Sequence, residues 1–203
     1  ENMSKNLGPI HFWLYRKIMI QQSFTNQLSC ELLDLEHKKK LSTMLDQTVG
    51  TIPQESLEEQ IDTMNIHGWL QDKIRIAEVR LGYVVEEIKK TTGSLVKAQQ
   101  IALEFGRSLC ESNSLTPEEG YKLIEDNLLS GMPCDRVNVI LEHDENHLKY
   151  QQSIEIHDKF WSQADADIKD YYLLRNKIIE GMLSKCGLTF SVFNNEIYEI
   201  NVS

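Results

Sequence analysis

The chain has 203 residues, a formal net charge of −10, 41% hydrophobic and 26% charged residues, and only 10 glycines and 4 prolines. That length suits a domain that buries roughly 70% of the surface its unfolded form exposes, and the composition argues against a disordered or low-complexity chain. The acidic charge is spread along the sequence and Lys38-Lys39-Lys40 is the longest basic run, so neither nucleic acid nor membrane is an expected partner, because phosphate binding needs a clustered basic face.

In chain order, the opening residues ENMSKN lack an apolar signal core. No stretch approaches the roughly 18 continuous apolar residues of a membrane helix, and a cytoplasmic protein is expected. Residues 9–32 repeat His11, Leu14, Ile18, Gln21, Thr25, Leu28 and Leu32 in steps of three and four, the period of one helix face. A polar stretch containing Glu36 to Lys40 leads to Gly50 and Pro53. Glu58 to Lys90 then reads as one long helix with the stripe His67, Leu70, Ile74, Ala77, Leu81, Val84 and Ile88, broken by Thr91, Thr92 and Gly93. A third helix covers about Ser94 to Glu111. A fourth opens at Leu115-Thr-Pro-Glu-Glu119, where Thr116 caps, Pro117 fits the first turn and Glu119 completes a capping box. It ends before Gly131 and Pro133.

A fifth helix is predicted from near Asp135 to Trp161 and a sixth from about Ala164 to Lys185, stopped by Gly187. Leu188 to Phe193 and Glu196 to Val202 are β-rich and joined by Asn194-Asn195, which reads as a hairpin. The expected fold is therefore all-α: an up-down bundle of four to six helices over residues 1–187, with a short C-terminal β-hairpin over 188–203 appended.

Among the motifs, Ile10-His-Phe-Trp-Leu-Tyr-Arg-Lys-Ile18 and Ile66-His-Gly-Trp-Leu-Gln-Asp-Lys-Ile74 share the pattern IHxWLxxKI, as two equivalent helices of a bundle would. On the expected fifth helix, His143 and His147 stand four apart in Glu-His-Asp-Glu-Asn-His, which on a helix separates their Cβ atoms by about 5–6 Å and lets two imidazoles share a metal ion. His67, on the stripe of the long helix, is the candidate third ligand. Glu78, farther along the same helix, and Glu145, between the paired histidines, are candidate bases. Trp13, Trp69 and Trp161 fit core positions. The cysteines Cys30, Cys110, Cys134 and Cys186 form no CxxC pair, and Cys134 stands just before the expected fifth helix, where a helix N-terminus activates a thiol.

Several metal templates do not fit. The chain has no Glu-x-x-His, so the carboxylate-bridged di-iron pattern is missing, and His143-Asp-Glu-Asn-His147 replaces the glutamate of the zinc peptidase HExxH with aspartate. One inward histidine near the start of the second long helix, followed by HxxxH on a later helix, resembles the DinB/YfiT-type helical bundles over roughly residues 10–155. That resemblance implies a divalent transition metal (Zn, Ni or Fe) held by His67, His143 and His147, and a metal-dependent thiol transferase or hydrolase acting on a small thiol substrate. The alternative is a non-catalytic interaction or structural bundle with an acidic surface and free hairpin edges. Those edges also lead us to expect a homodimer.

Overall fold

The structure is a computed structural model that describes residues 7–194 and 196–203. The opening ENMSKN segment and Asn195 of the expected hairpin turn lie outside the described residues. Among the described residues there are six helices of eleven residues or more, α1 (Pro9–Leu32), α2 (Leu35–Thr48), α4 (Ile66–Thr92), α5 (Val96–Leu109), α6 (Pro117–Asn127) and α8 (Ile168–Lys185), together with the single turns α3 (Leu57–Gln60) and α7 (Asp158–Trp161). The strands are β1 (Asn138–His143), β2 (His147–Gln152), β3 (Leu188–Phe193) and β4 (Ile197–Val202). The protein is mostly helical with a small antiparallel sheet. Among the described residues, no helix is long and apolar enough to cross a membrane.

Local chemistry explains most boundaries. Pro9 occupies the first position of α1, and the Nδ1 atom of His11 accepts the Gly8 N–H at 2.9 Å. At α6 the capping box forms as read: Thr116 Oγ1 accepts from Glu119 N–H at 3.2 Å and Glu119 Oε2 accepts from Thr116 N–H at 2.8 Å. Gly93 ends α4 at a φ of +73°, where a residue without Cβ is least strained.

The long second helix begins later than expected. The capping box of Ser56 and Glu59 opens the separate turn α3, Ile61 is extended, Asp62 Oδ1 accepts from Met64 N–H at 2.9 Å, and Asn65 then caps α4 by accepting from Gly68 N–H at 3.1 Å. Two side-chain turns thus compete successfully with helix continuation. The polar stretch after α1 is itself helical, capped by Asp34.

The expected fifth helix is replaced by a hairpin. Asp144 Oδ1 accepts the Asn146 N–H at 2.8 Å and the Asp144 N–H donates to the His147 carbonyl at 2.7 Å, closing a tight turn. Beyond it, Leu148, Tyr150 and Gln152 are buried while His147, Lys149 and Gln151 are half-exposed, the period of two that marks a strand with one buried face. The steps 143, 147, 150 and 154 also satisfy a helical stripe. A window this short fits both periods, and the pairing partner decides between them. That partner is β4, which runs antiparallel to β2 with Tyr150 opposite Tyr198. The C-terminal hairpin therefore joins a four-stranded sheet in the order β1-β2-β4-β3, with a bulge in β1 between Ile140 and Glu142.

Leu70, Ile74, Ala77, Leu81, Val84 and Ile88 of α4 are all buried, in one cluster with Leu14, Ile18, Phe24 and Leu28 of α1, Leu174 and Ile178 of α8, and Leu188, Tyr198 and Ile200 of the sheet. Each fully buried leucine or isoleucine contributes roughly 1.5–3 kcal/mol. α5 and α8 pack closely: a Cβ at Gly106 would sit 1.9 Å from the Ile178 carbonyl oxygen, and one at Gly181 would sit 2.0 Å from that of Leu103.

Candidate functional site

Of the sequence-derived site residues, His143, Glu145 and His147 lie at the β1–β2 turn, while His67 and Glu78 are on α4. His67 is exposed in the first turn of α4, its ring 6.1 Å from that of His11. His143 is exposed at the end of β1, and His147 opens β2 half-buried, with Nδ1 2.8 Å from Asn201 Oδ1 on β4. Glu145 is exposed in the turn between them. Among the described residues, no group of three His, Cys, Asp or Glu side chains is placed to hold a metal ion. The geometric argument for a shared metal required a helix at 143–147, and the hairpin there removes it. Cys134 is exposed in a single 3-10 turn, Pro133–Asp135, and heads no α-helix.

Glu78 does partner a histidine, but a different one. It is 1% exposed, and its Oε1 lies 3.0 Å from Nδ1 of His157, which is also 1% exposed. His157 Nε2 lies 3.2 Å from the Tyr171 hydroxyl, and the two rings are 4.2 Å apart. Glu155 accepts the His157 and Asp158 backbone N–H groups and the Tyr172 hydroxyl. This array ties the β2–α7 connection to α4 and α8. Glu78 and His157 are enclosed in the core, where hydrogen bonding is their structural requirement.

A different arrangement opens to solvent. The first half of α1, the end of α6 and the segment following it enclose a cleft of about 480 Å³, with Trp13, Lys17, Glu125, Ser130, Arg136 and Asn138 among its lining. Its apolar walls include Pro9, Ile10, Met132, Pro133 and Val137. At its floor Lys17 is 2% exposed. The Lys17 ammonium lies 3.8 Å from the centroid of the Trp13 ring, and Trp13 Nε1 donates to Asp126 Oδ1 at 2.9 Å.

Among the described residues, no carboxylate lies within ion-pairing distance of Lys17. Burial pulls its amine down to about 8, helped by the Arg175 charge and opposed by Glu125 and Asp126. Arg175 is the second buried cation. Its guanidinium donates to Gln152 Oε1 and Ser130 Oγ, each at 3.3 Å, and it too has no carboxylate partner among the described residues. Glu125 is held by the Asn138 amide at 2.7 Å. Arg136, exposed at the rim, has a φ of +49°, a conformation that costs a non-glycine residue of order 1–3 kcal/mol.

Comparison with known proteins finds no matching family model, curated relative or solved structure. The site must be read from its own chemistry.

The sequence carried a signal for Lys17 that the histidines overshadowed. In IHxWLxxKI the tryptophan and lysine stand four apart, and both copies place the ammonium over the ring: Lys17 at 3.8 Å from Trp13 and Lys73 at 5.2 Å from Trp69. Lys73 has Asp72 at 3.8 Å and is partly exposed. Glu125 and Arg136 carry no comparable spacing, since chain folding alone brings them to α1.

Proposed function

We propose that the chain binds a small organic acid with an apolar body in the cleft above Lys17. The carrying observation is a buried ammonium that, among the described residues, has no carboxylate within ion-pairing distance, which is costly unless a ligand supplies one. The acid's carboxylate is turned toward Arg136 at the rim, within the field of the Lys17 ammonium, its hydrocarbon lies along Trp13, Ile10 and Met132, and Glu125 accepts a hydrogen bond from a donor substituent. Cleft size and an apolar lining with a few convergent polar groups support this reading. Ligand-observed NMR with benzoate and hexanoate, each against its neutral amide, tests it. The acids are expected to bind at least about tenfold more tightly than the amides, with the preference lost in Lys17→Met, because a charge-assisted bond contributes about 1.5–3 kcal/mol. Equal binding of acid and amide would defeat it.

A second reading rests on its own observation. Val139, Ile140 and Leu141 are 47%, 43% and 45% exposed on β1, an edge strand of the sheet. An exposed apolar edge is a template for strand pairing, and two β1 edges would give a homodimer. Light scattering of the wild type and Ile140→Lys checks it, a monomer mass for both counting against it.

A further inference from the structure

We infer that Lys17 is a carbonyl-reactive amine, which condenses with the aldehyde or ketone group of an oxo acid held in the cleft. This rests on the reading of the cleft as a ligand site and deepens it by naming the ligand class and a covalent step. The first support is placement. Lys17 sits at the floor, where a ligand's inner end arrives, and Arg136 is at the exposed rim, where a carboxylate can remain partly hydrated. An oxo acid entering with its carboxylate toward Arg136 delivers its carbonyl carbon to the amine.

The second support is what Lys17 is not doing. Its nitrogen makes no hydrogen bond or ion pair with the described residues, and only the face of Trp13 holds it, so no acceptor must be displaced before it reacts. A buried amine stripped of counter-ions is how proteins make lysine nucleophilic near neutrality. The charges facing it are Glu125 and Asp126 on α6 and Arg175 on α8. With burial, they leave its amine at about 8, so at about pH 7.5 its neutral fraction is on the order of a hundredfold that of an ordinary lysine.

The step balances without an outside oxidant or reductant. The neutral amine's lone pair attacks the carbonyl carbon, and the carbonyl π electrons move to oxygen, which takes up a proton as the nitrogen releases one. The resulting carbinolamine hydroxyl then takes a proton from a carboxyl and leaves as water while the nitrogen lone pair forms the C=N bond, and the iminium nitrogen returns its remaining proton to the carboxylate. Amine and carbonyl become imine and water. Glu125, lining the same cleft and held by Asn138, is the carboxyl placed to exchange those protons.

The test uses the whole chain with 4-formylbenzoate and sodium cyanoborohydride at about pH 7.5, where only neutral amines condense appreciably. Intact mass and peptide mapping read the product. One carboxybenzyl group is expected on Lys17, formed at least about tenfold faster than on the exposed Lys39 or Lys97, and excess benzoate should suppress it. Lys17→Arg removes the nucleophilic amine and should lose the adduct. If benzoate binds but Lys17 is labelled no faster than Lys39, the covalent step is overturned and the ligand reading stands. If benzoate does not bind and no selective adduct forms, both fall. Selective labelling that benzoate fails to suppress overturns the claim that the cleft holds the acid.

Discussion

Lys17 couples stability to function in a way that one substitution reveals. Replacing it with Met keeps the length of the chain against Trp13 and removes a buried charge, so at pH 7 Lys17→Met is expected to be more stable than wild type by up to about 3 kcal/mol while losing acid binding. The pH dependence has a definite sign. The folded amine titrates at about 8 against an ordinary 10.5, so below pH 8 both states are protonated and the cost of the buried charge is present in full. Between about 8 and 10.5 the unfolded state binds more protons, and wild-type stability rises relative to the variant. Urea unfolding of both proteins across that range measures it, a flat difference being the contrary result. Glu78 gives the opposite outcome: Glu78→Ala leaves His157 Nδ1 without its partner and should cost about 1–3 kcal/mol, with benzoate binding unchanged.

For the secondary-structure elements, backbone proximity matters more than side-chain pattern. Gly106→Ala puts a methyl carbon against a carbonyl of α8 that cannot move without its helix. It is expected to destabilise by about 1–3 kcal/mol or more, read as a fall in thermal midpoint, whereas Gly8→Ala, with nothing near its Cβ, should change little. The hairpin β1–β2 illustrates what an isolated segment leaves open. Val139, Ile140 and Tyr150 favour strand, but His143, His147 and Tyr150 also fall on a helical stripe. Only the turn at Asp144 and the partner strand β4 resolve the period. The α3–α4 break was closer to legible, because Ser56 and Asn65 are both cap residues in the primary structure.

Considered as a whole, the sheet and helices share one core. Because β4 lies between β2 and β3, and its Ile200 is fully buried in the cluster that includes α1, α4 and α8, Ile200→Ala should cost about 2–5 kcal/mol. It should lower the midpoint of helix loss and of tertiary signal together, since one core implies one transition. Separate midpoints by far-ultraviolet circular dichroism and tryptophan fluorescence would show an independently melting hairpin.

The mostly helical character, the buried stripe of α4 from Leu70 to Ile88, the capping box at Thr116 and Glu119, and the C-terminal strands are legible in the chain, because each depends on residues within a few turns of one another. The sequence also held the Trp13–Lys17 pair, four residues apart on one helix. Long-range packing set the rest: Glu78 belongs to His157, His67 stands on α4 while His143 and His147 flank the β1–β2 turn, and among the described residues Lys17 has no ion-paired carboxylate although Glu125 and Arg136 line the same cleft. Those outcomes are set by which distant elements pack together. Local periodicity carries no information about the partner of a charge that a neighbouring helix buries.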